Sequence, residues 1–409
     1  MFKFLANSEH PSLGPHLYLL GLTGIWQPDQ KTHVTRLKMF IFYVIVVFFS
    51  SQYIKCIFDL KKESLQLILQ YAPFHLGIVK ACFFRKECET WDLLINYLSQ
   101  VERKQIEEQE PKMIKIMQNY IRCNRRVTYF FWALAFFSNF SIFSEPYVKN
   151  RIIENGTSIY LHIFDGFIPF SSEPPGYYVS MAIQTILGHV VSAYVIGWDT
   201  MVASIMIFFA GQLKIARMYA TEVVKPDALE THRNIANCHK FHVELVKYQK
   251  TFNGLLSPVM FVYLIVISVN LGVCIIQIVE VQDDLAMLMS SCLFVVACLI
   301  QLLLFYWFSN EATEESLKVG YGAFESDWVK CDKAIQKEIH LLGLILSKRL
   351  VFKAGPFNEM SLTTFVSVST PIENMNNNLT KICTEYDDDC TVERFDITQV
   401  LRFSIFKYI

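Results

Sequence analysis

Apolar and polar positions divide the chain into long uncharged runs separated by basic segments of helical period. The clearest run, residues 285–308, reads LAMLMSSCLFVVACLIQLLLFYWF and holds no charge. As a helix rising about 1.5 Å per residue it reaches about 36 Å, enough to cross a hydrocarbon core of about 30 Å. Further runs predict spans at about 37–58, 65–84, 127–143, 177–219 and 258–279. The fourth, 177–219, is longer than a bilayer needs, so its C-terminal end is expected to project beyond it. An amphipathic helix over 237–252 precedes the fifth. After Ser309-Asn310-Glu311 the sixth continues as an amphipathic helix, with Leu317, Tyr321, Phe324 and Trp328 three or four apart on one face. A second amphipathic segment, 334–352, carries Ile335, Ile339, Leu342, Leu346 and Leu350. Gly355-Pro356 breaks it, and the apolar segment 360–369 would start a seventh span. The polar, proline-interrupted lead-in 1–36 includes a short helix, 13–25, expected to lie on the membrane surface. The fold class is therefore all-α, a polytopic membrane helical bundle with six clear spans and a short or truncated seventh.

Lysine and arginine placement orients the bundle. Arg85, Lys86, Arg103, Lys104, Lys112, Lys115, Arg122, Arg125 and Arg126 fall between spans two and three. Seven more, from Lys214 to Lys250, separate four from five, and another seven, from Lys318 to Lys353, follow six. The opposite loops hold only Lys61, Lys62, Lys149 and Arg151. Basic loops stay in the cytosol, which places the N-terminus there as well. The first thirty residues, with Pro11, Gly14 and Pro15, lack the apolar core of a signal peptide, so the first span is expected to act as signal anchor. The sequon Asn155-Gly156-Thr157 lies in a loop that this topology puts outside, as a glycosylation acceptor requires. Asn139-Phe140-Ser141 also fits the sequon but sits in an apolar run, where it is expected to be unused.

Composition narrows the function. The 409 residues are 53% hydrophobic and 14% aromatic, with net charge −1. This excludes a disordered chain and offers no nucleic-acid footprint. Eleven cysteines without CxxC or zinc spacing predict no metal site, and no cofactor is expected. No cluster of nucleophiles or His/Glu ligands at one depth suggests an enzyme. No internal repeat suggests a secondary transporter, and a rhodopsin-like receptor has the opposite orientation.

Ligands in membrane bundles bind between helices, so the outer halves of spans two to four are the candidate pocket. Tyr71, Phe74 and His75 lie there at helical spacing in span two, Phe136, Phe140 and Phe143 in span three, and Tyr178, Met181 and Thr185 in span four. Aromatic and methionine surface suits a small, volatile, mostly apolar molecule. Each of these residues is more simply explained by packing against lipid or a neighbouring helix, and His75 by a hydrogen bond to another helix. Asp199, a charge within the fourth run, is expected to pair with a basic or amide group at a helix interface. Glu145 and Glu280 are placed at outer, solvated helix ends.

Asn310-Glu311-Ala312 at the end of an apolar helix, Tyr321 and Trp328 seven apart, the second amphipathic helix, and Ala354-Gly355-Pro356-Phe357 leading into Ser361-Leu362-Thr363-Thr364-Phe365 together resemble the C-terminal half of insect odorant receptors. The resemblance is specific mainly over 233–365. It implies a seven-span, odorant-gated, non-selective cation channel in the plasma membrane of an olfactory neuron dendrite. It also implies that the segments bearing Tyr321 and Trp328 anchor a tetramer. The family's obligate co-receptor has a longer insertion where this chain has only 212–257, so the chain resembles a tuning subunit of a heteromer with that co-receptor. A gustatory receptor of the same architecture is the nearest alternative. The corresponding layout is a cytosolic 1–36, helices one to four with the pocket in 37–232, helices five and six with the anchor in 233–356, the start of the pore helix in 357–369, and an atypical polar tail in 370–409. The family pattern holds through Val368 and then gives way to Thr370-Pro371, an asparagine run and Asp387-Asp388-Asp389. Ten apolar residues make about 15 Å of helix, half a bilayer, so the pore helix is expected to be incomplete. In the tail, Cys383 and Cys390 are positioned to pair if that segment lies outside.

Overall fold

The computed structural model describes residues 8–27, 32–58, 72–149, 151–154, 157–160, 162–164, 170, 173–280 and 285–367. Its helices are α1 (Gly14–Leu22), α2 (His33–Phe58), α3 (Ala72–Lys86), α4 (Cys88–Glu108), α5 (Pro111–Lys149), α6 (Gly176–Thr221), α7 (Ala228–Glu280), α8 (Leu285–Phe324) and α9 (Lys333–Leu346). An antiparallel hairpin, β1 (Arg151–Glu154) and β2 (Thr157–Tyr160), follows α5. A smaller one, β3 (Lys353–Ala354) with β4 (Asn358–Glu359), follows α9. Among the described residues, five helices are long and apolar enough to cross a membrane, namely α2, α5, α6, α7 and α8. The described part of α3 is fifteen residues. The rest of the expected second span, and with it Tyr71, lies outside the described residues, as do Asn155 and everything from 368 onward.

The apolar stretch of α6 is 78% buried and that of α2 22% buried, so α6 is the axis and α2 the periphery. Helices α3, α5, α7 and α8 all pack on α6. Gly77 makes the α3–α6 crossing close: a Cβ there would run into the Val195 side chain.

Three expectations are sharpened or corrected. First, the expected short helix in 13–25 forms as α1 and packs into the bundle. Leu13, Leu17 and Leu20 are buried against α6, because the polar residues beside them find partners inside. His16 Nδ1 is 3.0 Å from Thr200 Oγ1, and its Nε2 is 2.7 Å from Ser204 Oγ. Second, the amphipathic 237–252 and the fifth span are one helix, α7, running through Pro258. A proline forfeits one backbone hydrogen bond at a cost of about 3 kcal/mol. Buried Phe252, Leu256, Val259 and Met260 on both sides hold the axis continuous. Third, the two amphipathic segments end early. Helix α8 stops at Phe324, where the Ser326 hydroxyl bonds the Ala323 carbonyl, and Trp328 opens a separate 3-10 turn. Helix α9 stops at Leu346. Beyond it the chain is stitched to α8 and α7 instead, with Leu350 N donating to Ser316 Oγ at 3.0 Å and Lys353 N to Asn253 Oδ1 at 2.7 Å. The apolar face Ile335, Ile339, Leu342, Leu346 and Leu350 is covered by this chain itself, and Leu341, Leu344 and Ile345 are left exposed.

Two buried polar clusters hold the bundle. In the middle, Lys80 of α3 donates to Asp199 Oδ1 of α6 at 2.5 Å, both side chains almost wholly buried. The Gln301 amide of α8 donates to Asp199 Oδ2. The ammonium also lies 4.4 Å from the Tyr263 ring of α7 and 5.0 Å from that of Trp198. One charge pair thus ties four helices. At the end bearing the N-terminal segment, the buried Glu102 carboxylate of α4 accepts from Ser12 N at 3.0 Å and Tyr120 OH at 2.9 Å. Beside it Arg125 donates to the Pro11 carbonyl at 2.7 Å. Burial pushes the Glu102 carboxyl up to about 7, against the opposing pull of its hydrogen bonds and of Arg125.

Each cluster yields an expected outcome. Removing one partner of a buried pair strands the other charge, at a cost of about 3–5 kcal/mol, whereas apolar replacement of both is far milder. Asp199→Ala should therefore collapse the thermal stability of the detergent-solubilised protein, and Lys80→Met with Asp199→Leu should recover much of the loss. Equal damage from single and double variants would refute the pair's role. Because the folded-state value of Glu102 lies above its unfolded one of about 4.3, its stabilising contribution is full below that value. The contribution is then lost as pH rises through about 7. Glu102→Gln should flatten the melting-temperature profile between pH 5 and 8 and raise its alkaline arm; an unchanged slope would count against this.

Candidate functional site

Above the Lys80–Asp199 pair, towards the end at which α6 begins, α3, α5, α6 and α8 line a half-open cavity of about 60 Å³, room for a few water-sized groups. Its walls are Pro73 and Phe74 from α3, Phe131, Ala135, Ser138 and Asn139 from α5, Ser192, Val195 and Ile196 from α6, and Ala297, Cys298 and Gln301 from α8. The surface is mostly apolar with a few amide and hydroxyl groups. The Ser192 hydroxyl is spent on its own helix, donating to the Gly188 carbonyl at 2.8 Å. Two larger hollows lie at the basic end. One, of about 810 Å³, is rimmed by Glu108, Glu222, Glu244, Lys104, Lys225 and Lys240 and is polar. The other, of about 250 Å³, has the Lys214–Glu311 ion pair in its wall. Of these three, the cavity above Asp199 has the most apolar lining, as a small uncharged ligand requires.

The residues picked from sequence scatter around this cavity. Phe74 lines it, with its ring 5.5 Å from that of Phe143. His75 turns the other way, towards α2: its Nε2 is 3.2 Å from Gln52 Oε1, and its ring packs on Phe49 and Tyr53. Phe136 and Phe140 point away from the bundle at 60% and 65% exposure, as does Tyr178. Met181 is buried, and Thr185 Oγ1 is 2.7 Å from Tyr147 OH, a contact between α6 and α5 away from the cavity. Tyr321 is exposed, and Trp328 packs on Phe324 with ring centroids 6.1 Å apart.

Sequence reasoning missed the small residues. Phe131, Ala135 and Ser138 repeat at four and three, a helical face one position out of step with Phe136 and Phe140. That face encloses space because its side chains are short; a phenylalanine stripe fills space or meets lipid. Asn139, set aside as an unused sequon, is a wall residue, and α8 contributes three positions from a run whose polar punctuation is Ser290, Ser291 and Gln301.

The sequence profile described as 7tm Odorant receptor matches residues 65–370. Among curated proteins, the chain is 23% identical over 203 residues to Odorant receptor 10 of Aedes albopictus, covering 48% of this chain and 53% of that receptor. It is 23% identical over 202 residues to Odorant receptor 82a of Drosophila melanogaster, covering 49% and 52%. The chain thus spans about half the length of these relatives. The solved olfactory receptor OR5 of Machilis hrabei in complex with eugenol superposes with a TM-score of 0.75 at 15% identity, over 90% of this chain and 97% of that one, and so shares the fold. With the family pattern running through most of the sequence and the bundle matching in outline, this chain belongs to the insect odorant receptor family.

Proposed function

We propose that the chain is a tuning subunit of an odorant-gated cation channel, binding a small, mainly apolar odorant in the cavity between α3, α5, α6 and α8. The carrying observation is that cavity: a mostly apolar lining with few polar groups, set against the buried charge pair that joins the same helices. A ligand that prefers one arrangement of these helices shifts their population by its differential affinity. That the Machilis receptor of the same fold was solved in complex with eugenol supports a small organic ligand. The chain works in the plasma membrane of an olfactory neuron, with the basic end in the cytosol and Asn155 outside. Exposed Tyr321, Val329, Leu341 and Leu344 at the basic end are apolar surface of the kind that subunits cover, and the partner is the family's co-receptor.

Co-expression with the co-receptor, followed by recording odorant-evoked current across a panel of volatiles, tests the reading. Ala135→Phe puts a ring into the cavity and should raise the half-maximal odorant concentration at least tenfold, while Phe136→Ala, on the outward face, should change it little. The reverse order would sink the site. For sidedness, an epitope placed before Phe2 should stain only after cells are permeabilised, and Asn155→Gln should remove a glycan detectable as a mobility shift.

A further inference from the structure

Gln301 stands in two places at once. Its side chain is a wall of the cavity, and its amide N–H donates to Asp199 Oδ2. A glutamine amide has two N–H groups and a carbonyl oxygen, so the bond to Asp199 leaves hydrogen-bonding capacity over. An amide that donates to a carboxylate in a low-dielectric interior is polarised, which makes its carbonyl oxygen a better acceptor. Among the other polar wall groups Ser138 is also buried, at 4% exposed, but it is not bonded to the Asp199–Lys80 pair. Ser192 is engaged with Gly188, and Asn139 is only partly buried, whereas Gln301 is 7% exposed. A buried polar site also discriminates strongly against a ligand that cannot satisfy it.

Building on the cavity proposed above as the odorant site, we propose that Gln301 is its specificity-determining residue, and that it selects ligands whose apolar body carries a hydroxyl, with the ligand O–H donating to the Gln301 carbonyl. The bound hydroxyl, Gln301, Asp199 and Lys80 then form one continuous chain of hydrogen bonds from α8 through α6 to α3. The occupant's polar atom therefore acts on the pair that ties the helices together.

Cys298 provides a readout that needs no known odorant, since it lines the same cavity and is not disulfide-bonded. The full-length chain in lipid nanodiscs is labelled with N-ethylmaleimide, and modification at Cys298 is quantified by peptide mass spectrometry. Two isomeric probes are compared at equal lipid-phase concentration: 1-hexanol, which donates a hydrogen bond, and 1-methoxypentane, which only accepts one. In the wild type, 1-hexanol should protect Cys298 at about tenfold lower concentration, the weight of one buried hydrogen bond. In Gln301→Leu that advantage should vanish while protection by 1-methoxypentane persists, which also shows the cavity intact. Gln301→Asn keeps the amide with a shorter reach and should reduce the advantage; if Gln301→Leu does not assemble, an undiminished advantage in Gln301→Asn overturns the proposal. Equal protection by both probes in the wild type, or an advantage that survives Gln301→Leu, also overturns it. If neither probe protects Cys298 in the wild type, the cavity is not a ligand site, and the functional reading above falls as well.

Discussion

A single buried charge pair organises the middle of this protein. An aspartate within an apolar core must be compensated, since an uncompensated charge there costs many kilocalories per mole. Asp199 is compensated by groups on separate helices, Lys80 from α3 and Gln301 from α8, while α7 supplies the Tyr263 ring beside the ammonium. Lipid offers no hydrophobic force to drive helices together, so such directional contacts decide register and angle. The helix arrangement that satisfies Asp199 is also the one that leaves the small-residue face of α5 looking into empty space. Cavity and charge pair are thus two results of one packing solution.

The basic end is held differently. There, backbone carbonyls and amides of the N-terminal segment are threaded among side chains from two helices: Glu102 of α4 and Asn124 and Arg125 of α5 all bond residues 11 or 12. On the other side, the segment after α9 ties α7 to α8 through Ser316, Asn253 and Ser257. Both straps use irregular backbone, whose polar groups must find partners when buried. They attach to the ends of α5 to α8 that extend beyond their apolar runs, so a displacement of any one of these helices is felt by its neighbours.

Much of the helical layout was readable because uncharged runs and their period are local properties. What was not readable depended on partners far away in the chain. The continuity of α7 through Pro258 reflects packing on both flanks, which outweighs a local penalty. The burial of 13–25 reflects Thr200 and Ser204, and although the sequence predicts a basic or amide partner for Asp199, which one it is depends on a lysine 119 positions earlier. The cavity was hidden for another reason. Periodicity draws attention to large side chains such as Phe136 and Phe140, whereas a void is recorded in alanine, serine and asparagine, which carry no obvious stripe.

The seating of α1 has a consequence for biogenesis. The imidazole of His16 is completed by Thr200, a residue synthesised 184 positions later. At about 5–20 residues per second, a ribosome needs about ten to forty seconds to deliver it. During that interval the earliest part of the chain has no finished socket, and its leucines must be shielded by lipid or by a chaperone. The docking of the opening segment is therefore a late event in maturation, and a checkpoint that sensed it would know that the axial helix had been made and inserted.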